Sequence, residues 1–566
     1  MPTVKQGLLT GSGGTAAKAN DKMCREAIMH HGIQRSDISD ATSVFPTKAK
    51  SLVDLATGKF PGSDLAEVSE PFRSAAPPKY SLRGLLSEAR FFAADDIEFD
   101  SIAESSATTS AGDLVAYRIG QDNPSRVIAD ALARGACGII TEQLLPCPLP
   151  QCIVGDMEVS LAEIETHQAG RPDRQMLTVG VLGSAGKTTT SLLISALLRS
   201  ASIRTAYQTD LGESDGIVQT TSNTNIPNNR ELVRWLSEAK DSECKAAVIE
   251  MSETEARHGN YDAIQFDILV ICRTASGTDD FGPSGLQCSL DRLADDGVVI
   301  ASADEPSVTR ELQNHNVRTL TYGIHKNADV TAQIFDQTDG VSTLLLTHQD
   351  STTVMETCLC GHAMASNHAA AAVVGLLLAQ PLERIAESLS QLRTVPGRSQ
   401  RLAEYGKSTV VIDAGGTPAR AVEAMRPCRD MKHEGKLWCV LVLDADADAD
   451  TLSRYGTQLE RFSDQAIITA TDQSRSGFLA ASHNVLDGVK KCASFRLVAN
   501  RQRAIEWAII EAAPQDTVLI ITGETGLTAH EQRTNLAKIE QYVEQARSHV
   551  APTVTDTKPK LSVFGI

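Results

Sequence analysis

Eight residues, Gly183-Ser184-Ala185-Gly186-Lys187-Thr188-Thr189-Thr190, carry the clearest chemistry in this sequence. Small residues let the backbone close on a polyphosphate, and a helix opening at this point presents N–H groups to its negative charge. Lys187 can reach the outer phosphates, and the Thr188 hydroxyl is a hard oxygen ligand for Mg²⁺. The apolar run Leu177-Thr178-Val179-Gly180-Val181-Leu182 precedes the loop, and Ser191 to Leu198 follow with helical spacing. Strand, glycine loop, Gly-Lys-Thr and helix are the context of a phosphate-binding loop. One position departs from it: Val181 stands where the usual loop has its first glycine. A second candidate is Glu250, which closes the apolar run Ala246-Ala247-Val248-Ile249. A carboxylate at the C-terminal end of a parallel strand lies where ligands bind in such sheets, and can hold a metal directly or through water.

Other groupings are less specific. Asp279 and Asp280 are adjacent; two such carboxylates could bind a hard cation, and solvated loop charges give the same pattern. Aspartates alternate from Asp444 to Asp450. A calcium loop of the EF-hand type needs glycine at its sixth position and glutamate at its twelfth. Counted from Asp444 these are Ala449 and Tyr455, so a solvated acidic turn is expected. Twelve cysteines show no metal-like repeat. Cys358 and Cys360 flank one residue in a strand-like stretch and are expected to pack as reduced thiols.

The elements that must position these groups follow from apolar periodicity. Strands are expected at 177–182, 246–250, 267–271 and 297–301 with helices between them, a doubly wound parallel sheet with the phosphate loop on its first strand. The stretch 317–360 is expected to add an antiparallel section, and 369–379 an alanine-rich buried helix. Upstream, a short helix at 81–86, strands at 113–117 and 137–141 and a helix at 126–134 suggest a small α/β domain. Downstream, strands at 408–413, 438–443, 465–469 and 517–521 make a third α/β unit. The fold class is therefore α/β. The expected boundaries are a disordered extension over 1–79 with a short helix near Cys24 to His31, domains over 80–174, 175–396 and 397–548, and a flexible tail over 549–566.

A chain of 566 residues needs more than one core. Its net charge of −18 opposes nonspecific nucleic-acid binding. No run approaches the ~18 apolar residues of a membrane span, and Met1 to Asp21 lack a secretory apolar core. A cytoplasmic protein with no nucleic-acid or membrane partner is expected.

Taken in order, several stretches resemble the Mur ligases, cytoplasmic enzymes that join an amino acid to a UDP-linked peptidoglycan precursor. The closest type adds the third stem-peptide residue, diaminopimelate or lysine, to UDP-MurNAc-Ala-Glu. The resemblance spans about residues 80 to 548. Gly186-Lys187-Thr188-Thr189-Thr190 is similar to the family's ATP loop, with Ser184-Ala185 where Thr-Asn is usual. Ile249-Glu250-Met251-Ser252 resembles its Glu-Val-Ser segment, and Thr321-Tyr322-Gly323 a Thr-Tyr-Gly strand. Val395-Pro396-Gly397-Arg398 resembles the linker into the C-terminal domain, and Asp413 with Thr417-Pro418 a nucleotide-side loop. Asp472-Gln473-Ser474-Arg475 resembles the Asp-Asn-Pro-Arg loop that reads the incoming amino acid, and Arg503-Ala504-Ile505 the start of the next helix.

The resemblance implies a three-domain architecture with a central P-loop parallel sheet and a C-terminal Rossmann-like domain. It implies ATP and Mg²⁺, and a carboxylate activated as an acyl-phosphate. Lys187 and Glu250 would be catalytic, and Thr188 and Glu250 would hold metal. Gly183, Ser184, Ala185, Gly186, Lys187, Thr188, Thr189, Asn367 and Asp413 would bind nucleotide. Asp472 and Arg475 would meet the incoming amino acid, whose acceptor is a UDP-linked peptide precursor.

The departures are specific. The family's carbamoylated lysine, which supports a second Mg²⁺, has no counterpart, because no lysine occurs between Lys245 and Lys326. The family's Asp-His pair falls near Gly277-Thr278, a nucleotide-side asparagine is Met364, and the Asp-Tyr-Ala-His-Thr-Pro loop survives as Asp413-Ala414-Gly415-Gly416-Thr417-Pro418. Glu524 reverses the charge of a closing lysine, and Ser105-Ser106-Ala107 replace the residues that grip the UDP-sugar. Three functions remain open on these residues: an active ligase with an altered second metal site, a catalytically degenerate nucleotide-binding protein with a regulatory or scaffold role, and a P-loop ATPase doing unrelated work.

Overall fold

The computed structural model describes residues 80–549, except 122, 222–227, 274–282, 339, 431–434, 445–446, 472–474 and 525. The expectations for 1–79 and for the tail beyond 549 lie outside the described residues.

An eleven-stranded sheet carries the phosphate loop. Its strand β1 (Leu177–Leu182) is flanked in parallel by β2 (Ala246–Glu250) and β3 (Phe266–Ile271). Every residue of β1 and β2 is buried, as a near-continuous apolar run requires when a parallel sheet is covered on both faces. The register sets the site: Glu250 pairs with Val181, and Ile271 with Leu182. The ends of both neighbours therefore come level with the end of β1, where the loop begins.

Helix α1 (Lys187–Ser200) leaves that loop and packs Leu193, Ile194 and Leu197 against one sheet face. Beside it lies α2 (His362–Leu377), whose Ala369 to Ala372 are fully buried. The helix Asn229–Asp241 covers the opposite face with Leu232, Trp235 and Leu236. The alanine-rich helix begins seven residues before the expected start: the Gly361 carbonyl already accepts the Ala365 N–H at 3.0 Å. This places Asn367 and His368 on the helix rather than in a preceding loop.

The stretch 317–360 differs from expectation in one respect. Arg318–Gly323 runs parallel to Leu293–Ser302 and extends the main sheet. Only the next three strands, Val330–Thr338, Val341–His348 and Ser351–Thr357, pair antiparallel with one another. Cys360 is buried, as expected, but Cys358 lies beyond the last strand and is exposed, so it does not pack.

The C-terminal sheet has six strands, with β4 (Thr409–Asp413) second from one edge and parallel to Thr517–Thr522. Helix α3 (Pro418–Asp430) follows β4 across the short turn Ala414-Gly415-Gly416-Thr417. The long helix Ala529–His549 buries Leu536, Ile539, Val543 and Ala546. The aspartate run is more than a solvated turn: Asp448 caps the helix Ala449–Phe462 by accepting the Thr451 N–H at 2.8 Å. Upstream, a five-stranded sheet and the helix Pro124–Arg134, capped by Asn123, form the small α/β layer. Among the described residues no helix is long and apolar enough to cross a membrane.

Candidate functional site

Glycine is required at two points of the loop. Gly183 has φ +132°, and a Cβ there would lie 2.9 Å from the Cys272 carbonyl oxygen, because β3 ends against the loop. Gly186 has φ +90°, and a Cβ there would lie 2.4 Å from Asn367 Oδ1. Left-handed geometry at Gly186 turns the chain into α1 with no side-chain cap. The first N–H groups of a helix have no intrahelical partner, so those at the head of α1 form an anion site.

Ser184 Oγ and the Ala185 N–H both donate to the Arg273 carbonyl, at 3.1 and 3.3 Å. These two residues tie the loop to the chain leaving β3. The N–H groups of Lys187, Thr188 and Thr189, in the first turn of α1, have no intrahelical partner.

Glu250 is the hub. Its Oε1 accepts the Thr188 hydroxyl at 3.0 Å and lies 3.8 Å from Lys187 Nζ. Its Oε2 accepts the Asp210 N–H at 3.0 Å. Burial, and then the nearby Asp210 carboxylate, push its pKa up to about 7, against the opposing pull of Lys187 and Arg398. A buried carboxylate sharing one oxygen with a threonine hydroxyl is a hard-oxygen set that suits Mg²⁺. A bound cation would also relieve the burial penalty on the carboxylate.

The C-terminal domain closes over this group. Arg398 Nη2 donates to Thr188 Oγ1 at 3.2 Å, Nη1 donates to the Ala414 carbonyl at 3.1 Å, and the guanidinium lies 3.6 Å from Asp210 Oδ2. Arg273 and Glu423 form a two-armed ion pair, 2.8 and 2.7 Å, from the end of β3 to α3. A cleft between these elements is lined by Gly186, Thr188, Asn367, Arg398, Asp413 and Arg420, among others.

Two of the sequence candidates in this wall have their side chains engaged. Asp413 accepts from the Ser399 N–H at 2.7 Å and its Oγ at 3.1 Å, and burial raises its pKa. Asn367 holds its Oδ1 against Gly186, and its Nδ2 faces the Met364 sulfur at 3.8 Å. The structure thus brings Ala185, Gly186, Thr188, Thr189, Asn367 and Asp413 to one cleft and joins Glu250 to it through Thr188; Gly183, Ser184 and Lys187 lie on the same loop outside that lining. Asp472 lies outside the described residues, as do Asp279 and Asp280. Arg475 opens the helix Arg475–Asp487, but its side chain lies outside the described set.

Sequence reading misses Asp210, Arg273, Glu423 and Arg420, and takes Arg398 only as part of a linker. Asp210 follows the strand Thr205–Thr209, whose mixed composition hides it. A carboxylate directly after a strand that pairs with β2 is the signal that would have found it.

Comparison with known proteins bears on family and fold. The Mur ligase middle domain matches residues 181–281 and 289–375, and the Mur ligase glutamate ligase domain matches 397–523; together they cover more than half of the chain. A UDP-N-acetylmuramoyl-L-alanyl-D-glutamate–2,6-diaminopimelate ligase of Streptomyces coelicolor is 26% identical over 491 residues, 83% of this chain and 95% of the relative. The enzyme of that name from Bacillus velezensis is 26% identical over 408 residues, 69% of this chain and 82% of the relative. A solved structure bearing the same enzyme name superposes with a TM-score of 0.57 at 18% identity, covering 80% of this chain and 96% of that one. The MurF ligase of Thermotoga maritima, solved in complex with ADP, gives 0.53 at 17% identity, with 80% and 98% covered.

Proposed function

Because the chain belongs to the Mur ligase family, we propose that it is an ATP-dependent ligase that joins an amino acid to a carboxylate of a UDP-linked peptidoglycan precursor. The observation that carries this is the Lys187–Thr188–Glu250 group at the head of α1, with Arg398 of the C-terminal domain bonded to Thr188. The reaction has two steps. A carboxylate oxygen of the acceptor attacks the γ-phosphorus of ATP, the bond to the β–γ bridging oxygen breaks, and ADP leaves with that electron pair. The amine of the incoming amino acid then attacks the acyl-phosphate carbon, and an amide, inorganic phosphate and a proton are released.

Little covalent work falls to the protein in such a transfer; position and charge neutralisation dominate. The N–H groups opening α1 orient the phosphates, and Lys187 offsets negative charge on the outer ones. Thr188 and Glu250 would hold Mg²⁺, which when bound lowers the charge repulsion between the attacking carboxylate and the phosphates. Arg398 couples this chemistry to closure, since its bonds to Thr188 and Asp210 exist only when the C-terminal domain sits over the loop. A second cavity, walled by Asp210, Glu524 and Asn535 among others, is where the incoming amino acid would approach. Arg475, which opens the helix Arg475–Asp487, would pair with its carboxylate.

Hydroxylamine trapping tests this reading. With ATP, Mg²⁺ and UDP-MurNAc-Ala-Glu, the protein should yield a hydroxamate of the acceptor, and Lys187→Ala should not. ADP formation without any hydroxamate would contradict an acyl-phosphate route.

A further inference from the structure

We propose that Arg420 contacts the phosphoryl group as it passes from ATP to the acceptor carboxylate, a role that rests on the ligase reading above. Arg420, Arg398 and Ala414 are shared by the walls of both cavities: the one against the phosphate loop, with Gly186 and Thr188, and the one beyond it, with Asp210 and Glu524. A phosphoryl group moving between nucleotide and acceptor must cross that seam. Arg398 is committed there, its donors going to Thr188 and the Ala414 carbonyl beside Asp210. Arg420 is not. Its backbone N–H is held by Thr417 Oγ1 at 3.3 Å, which fixes the start of α3. Among the described residues its guanidinium makes no hydrogen bond and no ion pair; the charges that act on it, Arg398 first and then Asp210, Asp413 and Glu250, do so at longer range.

In the turn before it, Ala414, Gly415 and Gly416 carry nothing larger than methyl, and the Thr417 hydroxyl is spent on the Arg420 N–H. Burial, followed by the like charge of Arg398, lowers the pKa of Arg420. Two guanidiniums side by side in a cleft, one with its planar fork unspent, form a socket for an anion with several oxygens. The cleft that Arg420 shares with Thr188, the residue next to Lys187, favours the outermost phosphate over the α- or β-phosphate. In the transfer Arg420 donates hydrogen bonds to the equatorial oxygens and keeps its proton throughout.

The test is nucleotide affinity by calorimetry, with Mg²⁺ and either the non-hydrolysable imido analogue of ATP or ADP. Arg420→Ala and Arg420→Gln should each weaken the ATP analogue about 10- to 100-fold, as loss of a charge-assisted pair does, and ADP by less than about threefold. Unchanged melting curves separate this from misfolding, and agreement of the two variants guards against a defect peculiar to one. Guanidinium ion at low millimolar concentration should restore part of the lost affinity to Arg420→Ala. Equal losses for both nucleotides, or no loss for either, overturn the proposal while wild-type binding and its collapse in Lys187→Ala leave the ligase reading standing. Wild-type protein that binds neither nucleotide overturns both.

Discussion

Replacing Glu250 by glutamine should make the ligand-free protein more stable and the nucleotide site worse. Glu250 is buried, and its pKa stands at about 7 against an ordinary 4.5. A raised carboxylate pKa means that stability is fully present below pH 4.5 and is lost as pH rises to 7, because over that range the unfolded chain releases its proton first. Each pH unit in this window is worth about 1.4 kcal/mol, so the ionised carboxylate costs about 3 kcal/mol at pH 8. Glutamine removes that cost and can still accept the Thr188 hydroxyl. It gives up one acceptor, the oxygen that takes the Asp210 N–H, which offsets about 1 kcal/mol. The net expectation is a gain of roughly 2 kcal/mol at pH 8 and a small loss at pH 4.5. For a unit of this size that is a rise of about 4–8 °C in melting temperature. Thermal melts of both proteins at pH 5, 6.5 and 8, without metal, measure it. Mg²⁺-dependent binding of the ATP analogue should fall at least about 10-fold in the same variant. A Glu250→Gln protein that melts below wild type at pH 8 would refute the reasoning, since the carboxylate would then be stabilising in its ionised form.

Three other outcomes are expected. Gly186→Ala combines a left-handed φ with a contact of 2.4 Å to Asn367 Oδ1. It should lose about 1–3 kcal/mol in urea unfolding, and Asn367→Gly in the same chain should recover only the contact part; full wild-type stability in the single variant would contradict the loop geometry. His368 is buried, with Nδ1 2.7 Å from the Met364 carbonyl, and burial pulls its pKa down to about 4 from 6.5. Stability should therefore fall by about 3 kcal/mol as pH drops from 6.5 to 4, and His368→Gln should flatten that limb; an unchanged slope would show that another group carries it. Glu423→Ala removes the two-armed partner of Arg273. It should loosen the C-terminal domain over the loop, seen as a larger radius of gyration by X-ray scattering, and an unchanged radius would mean that Arg398 alone suffices for closure.

The parts of the fold legible in the sequence are those whose burial is written as a continuous apolar run. Leu177–Leu182, Ala246–Glu250 and Leu437–Leu443 are covered on both faces, so every position is apolar or small, apart from Thr178 and the terminal Glu250. Thr205–Thr209 is equally buried, yet its residues Thr-Ala-Tyr-Gln-Thr give no such run. Phe495–Asn500 is an edge strand with exposed residues on most positions, and periodicity does not mark it. The site divides in the same way. The group from Gly183 to Thr189 is contiguous, so its chemistry survives as a motif. Asp210, Glu250, Arg398 and Arg420 come from separate elements and two domains, and it takes the pairing of β2 with both β1 and Thr205–Thr209, and the seating of the C-terminal domain, to bring them together. A residue such as Arg420 has no local signal: on the first turn of a helix, an arginine reads as surface charge.

The central claim is that ATP hydrolysis here is tied to peptide-bond formation. It is tested most directly by phosphate release from ATP and Mg²⁺ in the presence of UDP-MurNAc-Ala-Glu and either diaminopimelate or lysine. The account predicts release that requires both acceptor and amino acid, one phosphate per amide formed, and none of it in Lys187→Ala. Tight ATP binding by the wild-type protein with no release dependent on those substrates would contradict it, and would leave a nucleotide-binding protein built on a ligase frame.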